Sequence, residues 1–173
     1  MLRPITPDDT PALCALTAAT GFFKPAEIET LEEVLNDYHA IYEAQDHRAF
    51  GWDEGGLLLG FTYHAPAIMT DRAWYLYWIA VEKGQQGRGL GGRLLEFVEQ
   101  HIRHQNGRLL IVETSSIPLY EPTRKFYQKY GYTPVATVPD YYADGDGQVI
   151  FTKRMGDAKT TTPPQPLPAT ERG

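Results

Sequence analysis

The sequence has little of several features that define whole classes of protein. Cys14 is the only cysteine among 173 residues, which excludes an internal disulfide framework and favours the reducing cytoplasm. Basic residues number 16 against 22 acidic ones, and the net charge of −6 argues against nucleic acid as a partner, because phosphate binding needs a positive surface. No apolar run approaches the roughly 18 residues that span a bilayer, so we expect no membrane insertion.

The composition changes near residue 156. Apolar residues make up 42% of the sequence, enough for a single domain with its own core. From Gly156 onward, threonine and proline replace almost every apolar residue, and such a segment buries too little surface to offset its ordering entropy. We therefore expect a folded domain over 1–155 and a flexible tail over 156–173. The alternative interpretation of its PPQPLP stretch is a polyproline ligand for the groove of a partner.

The pattern of apolar residues predicts an α/β fold with a mixed sheet. Strands are expected at 2–5, 48–53, 57–67, 72–82, 108–114, 133–138 and 148–154. Helices are expected after Thr6, over 25–38, from Leu90 to Ile102 and over 122–130; the first has an apolar stripe of Ala12, Leu13, Leu16 and Ala19. Short connections make the early strands antiparallel, whereas the helix between 72–82 and 108–114 makes those two strands parallel.

A glycine-rich turn between a strand and a helix is the best candidate for a ligand site. It comprises Gln86, Gly87, Arg88, Gly89, Leu90, Gly91 and Gly92. The free N–H groups and the dipole of a helix start attract anions, and glycines let a phosphate approach the backbone. We therefore predict a phosphorylated ligand, with a tight turn that merely requires glycine as the alternative.

The same turn also fits the dinucleotide fingerprint. Gly87, Gly89 and Gly92 have its spacing, and Glu113 follows about twenty residues later, where the ribose-binding acid is expected. Residues 82–86 lie between the strand and Gly87, however, and antiparallel strands precede the motif, unlike a doubly wound fold. Dinucleotide binding is therefore the weaker alternative, and a Walker P-loop is excluded because no Gly-Lys-Ser/Thr follows.

Two motifs together resemble the GNAT superfamily of acyl-CoA-dependent N-acyltransferases. Ile79-Ala80-Val81, four connecting residues, and then Gln86-x-x-Gly89-x-Gly91 before an apolar helix resemble its acetyl-CoA motif. The segment 123–132, TRKFYQKYGY, resembles its second motif. The resemblance covers about 2–155 and is specific over 75–132. Tyr120 departs from it, because the family often has asparagine there, and the amide contact to the cofactor is lost or replaced.

The resemblance implies a fold in which two central parallel strands splay apart and hold the pantetheine arm between them. Acetyl-CoA would be the cosubstrate, and no metal is implied. Backbone groups of Ile79, Ala80 and Val81 would pair with pantetheine, and the turn at 86–92 would hold the pyrophosphate. Tyr120 would stand at the cofactor contact. The family also makes a homodimer possible.

Direct transfer of an acetyl group to an amine needs a base, an oxyanion donor and an acid. By resemblance, Tyr127 is the acid that protonates the leaving thiolate, or else a packed aromatic; the Val81 N–H would stabilise the oxyanion. Glu113, at the end of an apolar strand, is the candidate base. Its alternative is an ion pair with Arg124 or a helix cap, and Glu82 is a weaker rival.

The acceptor is expected between the early helices and the acidic, tyrosine-rich loop 139–146. Asp140, Tyr141 and Tyr142 would hold a cationic amine, so that Asp140→Asn would raise the acceptor's Michaelis constant; an exposed polar turn is the alternative. Phe22 and Phe23 would form an apolar wall. The acceptor is a small-molecule or peptide amine, and the sequence does not choose among a protein N-terminus, a lysine, a polyamine, an amino acid and an antibiotic.

Two histidines, the single cysteine and the aromatic residues of one strand are expected to have structural rather than functional roles. His101 and His104 have a metal-compatible helical spacing without a third ligand, so we expect a solvated surface rather than a metal site. Cys14 is expected to be a small buried hydrophobe, and the aromatic residues of strand 72–82 to lie in the core or line a pocket. A catalytically silent acyl-CoA-binding module remains an alternative to an enzyme.

Overall fold

A seven-stranded mixed sheet organises the computed structural model, which describes residues 1–156. The strand order is β1-β2-β3-β4-β5-β7-β6, and β4 and β5 are the parallel pair. The strands are β1 Leu2–Pro4, β2 Arg48–Glu54, β3 Leu57–Pro66, β4 Ala73–Val81, β5 Leu109–Ser115, β6 Thr133–Ala143 and β7 Asp146–Arg154. The mixed α/β fold expected from the sequence is confirmed. The predicted tail lies outside the described residues, apart from Gly156.

Four helices cover the two faces of the sheet. They are α1 Thr10–Ala19, α2 Pro25–Ala40, α3 Leu90–His104 and α4 Glu121–Lys129. The buried side chains of α1 and α2 cluster with Phe61 and Tyr63 of β3 on one face. Those of α3 and α4 cluster with Leu110 and Val112 of β5 on the other face. Each such aliphatic side chain contributes about 1.5–3 kcal/mol when fully buried. Within 1–156, no helix is both long and apolar enough to cross a bilayer.

The buried stripe of α1 differs from the predicted one. Leu13 and Leu16 are buried as expected, but Ala12 and Ala19 are exposed and Thr17 is buried in their place. Thr17 fits this position because its hydroxyl donates to the Leu13 carbonyl one turn earlier, at 2.8 Å, and so has no unsatisfied polar atom. Cys14 is half-buried against this cluster.

The segment expected to be a loop at 139–146 is largely strand. β6 continues to Ala143 and β7 begins at Asp146, so only Asp144 and Gly145 turn the chain. The pairing between these strands is irregular from Val138 to Ala143, and Asp140 adopts a positive φ of 55° within that stretch. An acidic sequence with two tyrosines therefore forms a bulged hairpin, because tyrosine favours strands even where aspartate does not.

A bulge in β4 precedes the point at which β4 leaves β5. Tyr63 pairs with Trp78, but His64 pairs with Leu76, which leaves Tyr77 as the extra residue. β4 and β5 pair only as far as Leu76 and Val112. A bulge bends its strand and increases the local twist, so it accounts for the separation of β4 from β5 beyond this point. The splay implied by the family resemblance is present.

His101 is buried, contrary to the expected solvated surface. Its Nδ1 lies 2.9 Å from Nε2 of His64, a fully buried residue of β3, and Phe50 and Trp74 surround the pair. Burial lowers the pKa of His101 to about 4 and that of His64 well below its ordinary value. The two rings are therefore neutral partners that share one proton. No cluster of three potential metal ligands occurs within 1–156.

This pair predicts acid sensitivity of the fold. Between pH 6.5 and about 4, the unfolded chain binds protons at these histidines that the folded protein does not. The free energy of unfolding should therefore fall on acidification, by about 1.4 kcal/mol per pH unit for one such histidine. Urea unfolding measured from pH 7 to 4.5 tests this. His101→Gln should reduce the slope and His104→Gln should not; a wild-type stability that is flat over this range would contradict the assignment.

Candidate active site

A cavity of about 960 Å³ lies where β4 and β5 part. This volume is at the upper end of the range for ligand sites, roughly 300–1,000 Å³. The predicted site residues that line it are Phe22, Phe23, Ile79, Ala80, Val81, Gln86, Gly87, Gly89, Gly91, Gly92, Glu113, Tyr120, Tyr127 and Tyr142. The cavity thus joins the predicted anion-binding turn, the predicted acid and the predicted base, although these segments are distant in sequence.

The backbone of β4 presents unpaired groups to the gap. The Glu82 N–H donates to the Leu59 carbonyl of β3 at 2.8 Å. Because backbone groups alternate in direction along a strand, those of Ala80 also face β3, whereas those of Ile79 and Val81 face the gap. The Val81 carbonyl accepts a hydrogen bond from Nε2 of Gln86 at 3.2 Å. Ile79 and Val81 are therefore the residues whose backbone can pair with an amide-bearing ligand. The predicted backbone pairing of Ala80 with pantetheine is wrong, because its N–H and carbonyl face β3, and Ala80 only lines the cavity.

The glycine-rich turn ends at the first turn of α3. Gly89 has a φ of +80°, which a residue with a Cβ rarely adopts, and its carbonyl accepts the first helical bond, from Arg93 N–H at 3.1 Å. The N–H groups of Leu90, Gly91 and Gly92, which lie between Gly89 and Arg93, consequently have no partner within the helix. A Cβ on Gly92 would overlap the Tyr130 hydroxyl, so this glycine lets α4 approach the turn closely.

Two residues predicted for the phosphate turn do not line the cavity. Arg88 is exposed, and Leu90 is buried against Leu59 and Leu94 in the core. Leu90 is the first apolar residue of the α3 stripe, and its side chain points toward the sheet as the helical period requires. Leu90 can therefore contribute its backbone N–H but not its side chain to a ligand.

Tyr127 is buried on the inner face of α4. Its ring lies 5.8 Å from that of Phe151 and 5.6 Å from that of Tyr132, and no side-chain hydrogen bond of its hydroxyl occurs within 1–156. Burial raises the pKa of this phenol above its ordinary value, so it remains protonated at neutral pH. Tyr127 is thus both a packed aromatic residue and a cavity-lining proton donor.

Glu113 faces the cavity without a cationic partner in the described chain. Nε2 of Gln148 donates to its Oε2 at 2.8 Å, and partial burial raises the pKa of its carboxyl. The expected alternative, an ion pair with Arg124, is not formed, because Nη1 of Arg124 donates to the carbonyls of Ser115 and Ile117. A positioned carboxylate with a raised pKa and no counter-charge fits a proton acceptor.

Tyr120 connects the two sides of the cavity. Its hydroxyl donates to the carbonyl of Phe22 at 2.6 Å, and the two rings lie 5.8 Å apart. Phe22 belongs to the α1–α2 connection on one face of the sheet, whereas Tyr120 immediately precedes α4 on the other. This hydrogen bond therefore crosses the open end of the splayed strands. Phe23 follows in the same wall and packs on Trp78 at 5.4 Å.

Asp140 and Tyr141 do not line the cavity. The Asp140 carboxylate accepts a hydrogen bond from the Gly145 N–H at 2.7 Å, so it stabilises the bulged hairpin. Tyr141 is exposed and packs edge-on against Tyr142. Of the three residues predicted for acceptor binding in this segment, Tyr142 lines the cavity. The expected effect of Asp140→Asn on the acceptor therefore has no structural basis.

Some cavity residues had no individual assignment from the sequence. Tyr77 and Trp78 line the cavity, in agreement with the general expectation for this aromatic strand, and Asp146 lines it at the start of β7. Ser115 donates from its hydroxyl to Asp146, which ties the end of β5 to the hairpin. A carboxylate directly after an Asp-Gly turn was the only signal for Asp146, and that pattern is common in exposed hairpins.

The fold and the motifs have known relatives. The Acetyltransferase (GNAT) domain family matches residues 37–134. A solved structure from Desulfovibrio desulfuricans, assigned to the GNAT acetyltransferases, has 31% identity and a TM-score of 0.86, covering 90% of this chain and 99% of that one. The chain belongs to the GNAT acetyltransferase family.

Other relatives are more distant or partial. An uncharacterized N-acetyltransferase of Methanocaldococcus jannaschii is 32% identical over 84 residues, which are 47% of this chain; the match spans about half of that relative, 51%. An aminoglycoside 6'-N-acetyltransferase complexed with coenzyme A has 19% identity and a TM-score of 0.70, covering 90% of this chain and 97% of that one. The Escherichia coli ribosomal-protein-S18-alanine N-acetyltransferase has 17% identity and a TM-score of 0.74, covering 94% and 97%. These last two share the fold.

The hydrogen bond between Tyr120 and Phe22 is open to a direct test. Tyr120→Phe keeps the ring but removes the donor, and should cost about 1 kcal/mol of stability. Amide hydrogen exchange should accelerate in the α1–α2 connection, residues 20–24, because the bond anchors that segment to the other face. Tyr141→Phe, at an exposed position, is the control. Unchanged exchange at 20–24 would show that the segment is held by its other contacts.

Proposed function

We propose that this protein transfers the acetyl group of acetyl-CoA to a primary amine by direct attack within a ternary complex. The observation that carries the proposal is the gap between β4 and β5, which combines the gap-facing backbone groups of Ile79 and the Val81 N–H with a glycine-rich helix start in one cavity. An extended arm with amide groups satisfies the strand, and a diphosphate satisfies the helix start. Few ligands other than an acyl-CoA have both parts.

The acceptor amine must lose a proton before it attacks. A free primary amine has a pKa near 10, so it is protonated at neutral pH and needs a base. Glu113 lines the cavity, and Gln148 fixes one of its oxygens. We assign Glu113 as the group that receives the proton, directly or through one water.

Attack forms a carbon–nitrogen bond and a tetrahedral oxyanion, whose collapse breaks the carbon–sulfur bond. The Val81 N–H faces the gap and is the donor we assign to the oxyanion. Tyr127 donates its phenolic proton, or a hydrogen bond, to the leaving thiolate. Because burial keeps this phenol protonated, the donor is in the required state throughout the neutral range. The products are the N-acetylated amine, coenzyme A and one proton.

The first test of this proposal measures the binding of coenzyme A and the turnover of acetyl-CoA separately. Calorimetric titration should show binding of coenzyme A and none of NAD, since the single parallel pair of strands is not a doubly wound fold. Release of free thiol from acetyl-CoA in the presence of an amine panel should then show turnover. Binding of coenzyme A without thiol release for any amine would indicate the catalytically silent module instead.

Substitution of the proposed base should change both rate and pH profile. Glu113→Gln should lower kcat/KM by about 10²–10⁴-fold, the usual contribution of a general base. In the wild type, kcat/KM should fall as pH drops through the raised pKa of Glu113, because protonation removes the base; the variant should lack this limb. Glu82→Gln is the matched control. A large loss in Glu82→Gln with near-normal activity in Glu113→Gln would reassign the base.

A further inference from the structure

Two stacked tyrosines occupy the edge of an uncovered part of the sheet. The rings of Tyr75 and Tyr77 lie 5.4 Å apart with an interplanar angle of 20°, and Tyr77 is 51% exposed although it lies in a central strand. α1 and α2 cover this face over β2, β3 and the end of β4, where Trp78 and Ala80 pack against them. Tyr75 and Tyr77 lie just beyond that cover, and Tyr77 lines the active-site cavity.

The bulge in β4 adds Trp78 to the face that Tyr75 and Tyr77 already share. Trp74 and Leu76 pack toward α3, so Tyr75 and Tyr77 point the opposite way. After the bulge, the alternation shifts by one residue, and Trp78 takes the face that Tyr77 already occupies. Tyr77 and Trp78, which are adjacent in the sequence, therefore both direct aromatic rings into one end of the cavity. An aromatic surface exposed beside a cavity is typical of a binding surface.

Glu113 lies next to these rings across the gap. Tyr75 pairs with Ile111, and Tyr77 and Glu113 lie two residues further along each strand, so both point to the same face beyond the end of the pairing. Both line the cavity, and burial together with nearby charges, that of Glu113 among them, raises the pKa of Tyr77. The buried Gln148 holds Oε2 of Glu113 and is in polar contact with Tyr142. Glu113 is therefore flanked by aromatic rings on both sides, and its Oε1 has no hydrogen-bond partner within 1–156.

The other carboxylates at the cavity have structural roles. Glu27 accepts a hydrogen bond from the Lys24 N–H and caps α2, and Asp146 accepts one from Ser115. Among the described residues at the cavity, Glu113 is thus the carboxylate left to bind a ligand. A single carboxylate suits an acceptor with one ammonium group rather than several. The tyrosine rings offer flat apolar surface and attraction for a cation, but few groups to pair with a peptide backbone.

We propose that the acceptor carries its amine on an aromatic or similarly flat apolar body, which lies against Tyr75 and Tyr77 while the ammonium group faces Glu113. This inference rests on the proposed acetyl transfer and names its substrate class. Tyr77 is accordingly a specificity-determining residue of the acceptor site, and neither a polyamine, an aminoglycoside nor a protein N-terminus is the preferred acceptor.

The test compares acceptors by the rate of thiol release from acetyl-CoA. Phenethylamine should exceed hexylamine, spermidine, kanamycin and an alanine-terminated peptide by at least about 10-fold in kcat/KM. Tyr77→Leu should reduce kcat/KM for phenethylamine by about 10-fold, mainly through KM, and change that for hexylamine less than about 3-fold. Leu57→Ala, at an exposed apolar position of β3 that does not line the cavity, should leave both values unchanged. Preference for any other acceptor, or an equal loss for all acceptors in Tyr77→Leu, would overturn the inference.

Binding separates failure of this inference from failure of the proposed transfer. Phenethylamine is titrated calorimetrically into the coenzyme A complex of the wild type and of Tyr77→Leu. If no amine is acetylated but phenethylamine binds and Tyr77→Leu weakens it about 10-fold, the aromatic site stands and the transfer fails. Absence of phenethylamine binding would refute the site, whether or not other amines are acetylated.

Discussion

The separation of β4 from β5 after Leu76 and Val112 is the constraint on which the site depends. A central pair of strands normally satisfies its N–H and C=O groups mutually, and unpaired groups inside a protein are costly. Here the groups of Ile79 and Val81 face a cavity instead, so the sheet is completed by whatever enters the gap. The cavity, the helix start and the proposed catalytic residues Glu113 and Tyr127 all lie along its edges.

The bulge at Tyr77 supplies both the gap and the surface beside it. It bends β4 away from β5, and it changes which face the following side chains occupy, so that Ile79 and Val81 pack toward α3 while Trp78 and Ala80 pack toward α1. The backbone after the bulge therefore faces the gap in which we propose that the pantetheine arm binds, and the rings before the bulge face the proposed acceptor position.

The parts of the fold and site that depend on local sequence could be predicted, whereas those that depend on contacts between distant residues could not. The glycine-rich turn, the parallel pair and the position of Tyr127 follow from short spacings, and the structure places them as expected. The bulge has no turn residue to mark it within RAWYLYWIAV, and β6 extends through residues that ordinarily form a loop. His101 looked like a surface residue because the sequence gives no sign of His64, its partner 37 positions away. Pairings of this kind are set by packing rather than by local propensity.

Tyr120 shows how one departure from the family pattern changes the architecture of the site. The Tyr120 phenol reaches from the start of α4 across the open strand ends and donates to the Phe22 carbonyl on the opposite face. Its ring at the same time packs on the ring of Phe22. Tyr120 thus links the two layers of helices through one hydrogen bond and one pair of rings.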